Sequence, residues 1–210
     1  MHDEVLTKEA TGILPFFGRF EDFYLVGGTA LALHIGHRIS VDFDFFTSAP
    51  LPDGLLRKIK RVFEDRQITV TYSAPEQLNL VIEGVKVTFF SYPYQNIYPP
   101  VPYKKINIAS IEEIALMKAF SIARRLSYKD YIDWYFLLRD KYVSLEKVII
   151  GAQKKFGADF NDRLFLGQLV SMEDIPVQKI DFLKNEVSKE DVRKFLENEV
   201  TYFSNQLKIK

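Results

Sequence analysis

The sequence predicts an α+β fold in which a mixed sheet with helices, residues 1–100, is followed by an α-helical domain, residues 101–210. Three observations lead there. Short apolar runs in the first half alternate with a period of two and are separated by Gly- and Pro-containing turns. The second half repeats a helix-start device, a serine followed three residues later by an acid. Between them, Tyr92–Tyr103 holds Pro93, Pro99, Pro100 and Pro102 among tyrosines, a density that neither a helix nor a central strand accepts, so it reads as a semi-rigid connector.

Each element has its own reason. Phe23–Val26 is a short apolar run stopped by Gly27-Gly28, a strand entering a tight turn. Thr29–Ile35 has the small and apolar residues of a helix packed closely on a sheet. Over Val41–Phe46, Val41, Phe43 and Phe45 face one way and Asp42 and Asp44 the other. Pro52–Asp65 reads as helix, and Gln67–Ser73 alternates through Ile68, Val70 and Tyr72. Leu78–Ile82 and Val85–Phe90 form a hairpin about Gly84, with Val85, Val87 and Phe89 on one face. Beyond the connector, Ser110 with Glu113 opens a helix towards Leu126, and Ser127 with Asp130 opens one through Arg139. Further helices are expected over Ser144–Phe156, Asp162–Ser171 and Ser188–Leu207, the last opened by Ser188 with Asp191.

Composition narrows the function. The 210 residues carry 28 Lys+Arg against 28 Asp+Glu and no Cys. Zero cysteine excludes a disulfide framework, a thiolate zinc site and a cysteine nucleophile. Residues 1–100 hold 9 basic and 12 acidic side chains and residues 101–210 hold 19 and 16, so neither half is the strongly basic body of a duplex-DNA binder. The polar, acidic start is no signal peptide, and no run approaches the ~18 apolar residues of a membrane span. A soluble cytoplasmic protein with no membrane partner is expected.

The chemistry-bearing segment runs from Leu25 to Phe46. Asp42 and Asp44, two apart on one strand, project from one face and can share a hard cation such as Mg²⁺. Gly27-Gly28, opening a helix, offers bare N–H groups and the positive end of a helix dipole, which suits a phosphate. Thirteen residues separate Gly28 from Asp42. Further on, Ile111, Ala115, Lys118, Ile122 and Arg125 fall on one helical stripe, with Lys118 and Arg125 about two turns, ~10 Å, apart. Lys118 either snorkels, its stem buried and its ammonium in water, or serves a ligand. Asp130 reads as part of the Ser127 capping box. Asp133 sits on the same face as Asp130, Trp134 and Leu137, where Arg124, Arg125 or Lys129 could pair with it. His34 and His37 lack a third ligand in register, and there is no complete Walker loop.

Gly27-Gly28-Thr29-Ala30-Leu31, followed by Arg38-x-Ser40-x-Asp42-x-Asp44-Phe45-Phe46, resembles the nucleotidyltransferase superfamily, in the branch named for the AbiEii toxin. The helix Ile114 to Lys118, followed by Tyr128-Lys129-Asp130 and Asp133 to Leu137, resembles the same branch. The likeness covers roughly residues 20–140. It implies a nucleotidyltransferase-like sheet domain and transfer of a nucleoside monophosphate from an NTP to a hydroxyl acceptor, with pyrophosphate released. The acceptor is open between RNA such as tRNA, protein and a small molecule, and the chain would be a toxin with a cognate antitoxin. By the same resemblance Asp42 and Asp44 hold Mg²⁺ (or Mn²⁺), and Gly27, Gly28 and Thr29 cradle the outer phosphates. Arg38, Ser40, Lys118 and Arg125 contact the nucleotide, and Asp130 or Asp133 lines the site. Many nucleotidyltransferases carry a third carboxylate on a later strand; here the corresponding position reads Thr88. Three readings stay open: a helix acid substitutes, the metal site is weaker, or the chain binds nucleotide without turnover, as a pseudoenzyme or an interaction component.

Overall fold

The structure, a computed structural model, describes residues 1–122 and 127–209. It divides into two compact units, residues 1–110 and 111–210. Among the described residues the first unit holds a seven-stranded sheet: β1 (Tyr24–Val26), β2 (Phe43–Thr47), β3 (Ile68–Ser73), β4 (Gln77–Ile82), β5 (Val85–Ser91), β6 (Val101–Tyr103) and β7 (Ile106–Ile108). The spatial order is β3-β4-β5-β2-β1-β7-β6. The pairs β2–β5 and β1–β7 are parallel and the others antiparallel, so the sheet is mixed, as the period-two runs predict. Helices α1 (Lys8–Ile13), α2 (Gly27–Ile35) and α3 (Leu55–Val62) complete the unit.

One face of the sheet is an aromatic core. Phe43 and Phe45 are buried, and the Phe45 ring lies 4.5 Å from Phe17 and 5.6 Å, stacked, from Phe89. Phe20, Phe23 and Phe63 pack into the same cluster. Alternation in β2 starts at Phe43; Val41, expected on the apolar face, is exposed because regular strand geometry begins only two residues later. The β4–β5 turn places Glu83 (φ 51°) and Gly84 (φ 80°) in the left-handed region, the signature of a two-residue hairpin turn.

The sheet extends beyond the proline-rich stretch, which moves the boundary between units from the expected 100 to 110. The end of that stretch is β6, with Pro102 on an outermost strand where its missing N–H breaks no ladder. The tyrosines pack inward: Tyr92 is buried and its ring lies 5.3 Å from Phe46 and 5.3 Å from Tyr94. At the opposite edge β3 is exposed over most of its length, where its clean alternation had implied one buried face.

The second unit is helical: α4 (Ile111–Ile122), α5 (Tyr128–Arg139), α6 (Leu145–Phe156), α7 (Asp162–Val170) and α8 (Lys189–Ile209). Leu126, the expected end of the first of these, lies outside the described residues. Gly151 lets α6 approach α4, since a Cβ there would meet Leu116 at 2.9 Å. Phe120 and Phe156 stack at 4.2 Å between the same helices. Ser188 caps as the sequence implies, its Oγ accepting from the N–H of Asp191 at 3.1 Å, and Ser144 caps α6 in the same way, accepting from Lys147 N–H at 3.4 Å. Glu113 carries a different load: fully buried, it pairs with Lys155 at 2.5 Å. Burial drives the Lys155 ammonium below its ordinary range, and the Glu113 charge only partly opposes this.

Phe45→Ala removes the ring at the centre of the aromatic cluster and is expected to destabilise the protein by about 3–5 kcal/mol. Phe46→Ala, on the half-buried face of the same strand, should cost clearly less. Urea unfolding of both variants checks the ordering.

Candidate active site

Seven of the residues marked by the sequence converge at the α2 end of β1. The chain leaves β1 through Gly27, whose φ of +73° is left-handed, and turns directly into α2. A Cβ on Gly27 would sit 2.6 Å from Asp44 Oδ2, so only glycine satisfies both the backbone angle and the approach of the carboxylate. A Cβ on Gly28 would meet an Arg38 guanidinium nitrogen at 2.5 Å, with Ser40 Oγ at 3.6 Å. Val26, the N-cap residue, supplies no side-chain cap to α2. First-turn N–H groups of such a helix need another acceptor.

Hydrogen bonds hold this turn to the segment that leads into β2. Thr29 Oγ1 is bonded to Ser40 Oγ at 2.8 Å and to the Asp42 carbonyl. Ser40 N–H donates to the Val5 carbonyl at 2.9 Å, and the buried Arg38 donates from Nη1 to the Ile39 carbonyl at 3.2 Å. Asp42 lies one residue before β2 and Asp44 within it, both half-buried. Gly27, Gly28, Thr29, Arg38, Ser40, Asp42 and Asp44 therefore form one constellation in the first unit.

The pairing register identifies the neighbours of Asp44 on the sheet. Asp44 stands opposite Val26 on β1 and Thr88 on β5, and Thr88 stands opposite Asn79 on β4. The position where a third carboxylate was sought is thus a hydroxyl, with an amide beyond it. Asn79 escaped the sequence reading; the register of the β4–β5 hairpin was the signal that could have found it. Among the described residues no group of three or more acidic or histidine side chains is arranged to hold a metal. His34, considered as a ligand, bonds the Ala109 carbonyl through Nε2 at 2.8 Å.

In the second unit, Lys118, Asp130 and Asp133 come together. Lys118 Nζ lies 2.8 Å from Asp130 Oδ1 and 2.6 Å from Asp133 Oδ2, with all three side chains buried. Of the two readings of Lys118, snorkelling does not hold; its ammonium is the buried end. Asp130 turns inward to Lys118, and Ser127 caps α5 with no side-chain bond, so the capping box does not form. Asp133 also pairs with Lys118. Arg124 and Arg125 lie outside the described residues. Burial alone would lower the Lys118 pKa, but the charges of Asp133 and Asp130 outweigh it and hold the ammonium above its ordinary range.

A family model for the nucleotidyl transferase AbiEii toxin of type IV toxin–antitoxin systems matches residues 11–204. An uncharacterized protein of Aquifex aeolicus (strain VF5) is 32% identical over 200 residues, covering 91% of this chain and 96% of that protein. Among solved structures, a candidate nucleotidyltransferase from H. pylori matches with a TM-score of 0.58 at 18% identity, covering 96% of this chain and 97% of its own. MenT4, a nucleotidyltransferase toxin from Mycobacterium tuberculosis, matches with a TM-score of 0.59 at 14% identity, covering 91% and 80%. These two share the fold. The chain belongs to the AbiEii nucleotidyltransferase toxin family. Its sheet unit and helices are a nucleotidyltransferase fold and its function is that of a toxin nucleotidyltransferase. Among the described residues no helix is long and apolar enough to cross a membrane.

Two predictions follow from the geometry. Gly27→Ala meets both the left-handed φ and the Asp44 carboxylate, so a loss of about 1–2 kcal/mol is expected, against a gain of about 0.4–1 kcal/mol for Gly12→Ala, inside α1 where a Cβ meets nothing within 4 Å. Thermal melting of the pair measures the difference. Lys118→Met leaves two carboxylates buried without their cation and should cost about 3–5 kcal/mol near neutral pH. For the parent chain the sign is set by the raised Lys118 pKa: the stabilisation is present below the ordinary lysine pKa and is lost as pH rises through the higher folded value. Urea titrations from pH 7 to pH 11 should therefore show parent and variant converging at the alkaline end.

Proposed function

We propose that this chain moves a nucleoside monophosphate from an NTP to a hydroxyl acceptor and releases pyrophosphate, acting in the cytoplasm as the toxin of a pair with a cognate antitoxin. The observation that carries the reading is the contact of Gly27 with Asp44: an uncapped helix start meets a strand carboxylate with no side chain between them. A phosphate-binding turn and a cation-binding acid thus share one position.

The donor set fits a divalent metal of the oxygen-loving kind. Asp42 and Asp44 are two carboxylates, and Mg²⁺ is commonly held by one or two carboxylates together with substrate phosphates and water. Asp42 and Asp44 would hold Mg²⁺ or Mn²⁺, which when bound neutralises charge on the attacking and leaving oxygens of an in-line displacement. The chain's own groups do the rest. First-turn N–H groups of α2, from Gly28 and Thr29, donate to the outer phosphates at the positive end of the helix dipole. Arg38, buried against Gly28, adds a cation beside that turn, and Ser40 with Thr29 fixes the loop that carries Asp42.

Lys118, Asp130, Asp133 and Arg125 belong to the proposal through the family resemblance. Their part in transfer is tested apart from their part in stability by Asp130→Asn, which keeps the volume and a hydrogen-bond acceptor for Lys118. Thr88 beside Asp44 favours a second reading, nucleotide binding without turnover.

One experiment separates the readings. The protein is incubated with each α-labelled NTP, Mg²⁺ or Mn²⁺, and total cell RNA and protein. The parent chain should label an acceptor, and Asp44→Asn should lower labelling at least about a hundredfold with its melting temperature held. Calorimetric NTP binding without any labelling would establish the second reading instead.

A further inference from the structure

In-line displacement requires the attacking hydroxyl and the leaving pyrophosphate on opposite sides of the reacting phosphorus. With the proposed function as premise, the α2 turn beside β1 marks the leaving-group side. The acceptor must then come from the other side of Asp44, across β5, β4 and β3. The structure has an unusual surface there. Asp44, Thr88, Asn79 and Tyr72 stand opposite one another strand by strand, on one face of the sheet. Tyr72 reaches this row because of a bulge: the register of β3 against β4 slips between Val70, opposite Leu80, and Tyr72, opposite Asn79. Without the extra residue Tyr72 would stand opposite Leu78, on the face of the aromatic core. Bulges beside active sites commonly re-aim a side chain in this way.

The row has the composition of a small recognition strip. Tyr72 is 49% exposed, an edge-strand aromatic ring held out of the core. Gln77 Nε2 donates to Asn79 Oδ1 at 2.9 Å and so orients that amide, and Lys86 is exposed on the same face of β5. Tyr72 lies two strand spacings, about 10 Å, beyond Thr88, a distance a nucleoside spans from its hydroxyls to the far edge of its base.

We infer that this strip is the acceptor side of the site and that Tyr72 stacks on an unpaired nucleobase of an RNA acceptor. Stacking on an aromatic ring accepts any unpaired base, and an oriented amide reads a base edge. With Lys86 as the cation on the strip, the footprint suits an unpaired end better than a duplex.

Tyr72→Phe keeps the ring, and Tyr72→Thr removes it while introducing a β-branched residue suited to an edge strand. Binding of a fluorescently labelled single-stranded RNA oligonucleotide with a free 3′-hydroxyl is measured by anisotropy, and NTP binding by calorimetry on the same preparations. Tyr72→Phe should bind the RNA like the parent. Tyr72→Thr should bind it about tenfold or more weakly, with a raised KM for RNA where transfer is observed and unchanged NTP affinity. RNA affinity in Tyr72→Thr equal to the parent's overturns the inference. So does an equal loss of NTP affinity, which would assign Tyr72 to the donor's base, or labelling of protein with no RNA bound. RNA binding that depends on Tyr72 in a chain that transfers nothing supports the strip and refutes the transfer reading, so the two failures are distinct.

Discussion

A backbone that bends left-handed at Gly27, and a carboxylate that presses against it from the neighbouring strand, fix the geometry on which the candidate site is built. The bend ends β1 and begins α2 without an intervening loop, and Val26, the N-cap residue, supplies no side-chain cap there. Asp44 can stand there because β1 and β2 are antiparallel neighbours, with Val26 opposite Asp44. That pairing holds only while Phe43 and Phe45 are buried beneath it, since a one-residue slip would put the acids into the aromatic core. The phenylalanine cluster is therefore part of the site's precision as well as of the fold's stability.

Much of this was legible in the chain. The alternation Phe43-Asp44-Phe45 announces which side is core, and Gly27-Gly28 after an apolar run announces a strand–turn–helix. Both are local patterns with a single physical interpretation. What escaped was non-local. Pro102 looked like a connector residue because its tolerance on an outermost strand depends on where β6 sits, and adjacency to β7 is invisible to a scan for breakers. The bulge in β3 was hidden because Ile68, Val70 and Tyr72 alternate perfectly, and only the partner strand reveals the slip. The partners of Lys118 escaped for a related reason. A stripe on one helix says which residues share a face, but Asp130 and Asp133 belong to the next helix.

Two buried lysines of the second unit show how local charge sets proton affinity. At Lys155 burial outweighs the Glu113 carboxylate and pulls the pKa down. At Lys118 the charges of Asp133 and Asp130 outweigh burial and raise it. The same side chain in the same helical unit is thus shifted in opposite directions, according to whether burial or the neighbouring carboxylates weigh more.

The strand order also dictates when the first unit can close during synthesis. β1 is complete near the start of the chain, yet its parallel neighbour is β7, and the Leu25 carbonyl accepts from Ala109 N–H at 2.9 Å. Until the ribosome has extruded that segment, β1 has one flank bare and the turn it carries is unsupported from that side. Non-local parallel pairing of this kind forms slowly, because a long loop must close before any contact rewards it. A nascent chain stopped within the proline-rich stretch would hold the glycine turn and both strand acids but lack the two strands that finish the sheet. The fold therefore leaves the sheet beside this turn unfinished until Ala109 has emerged.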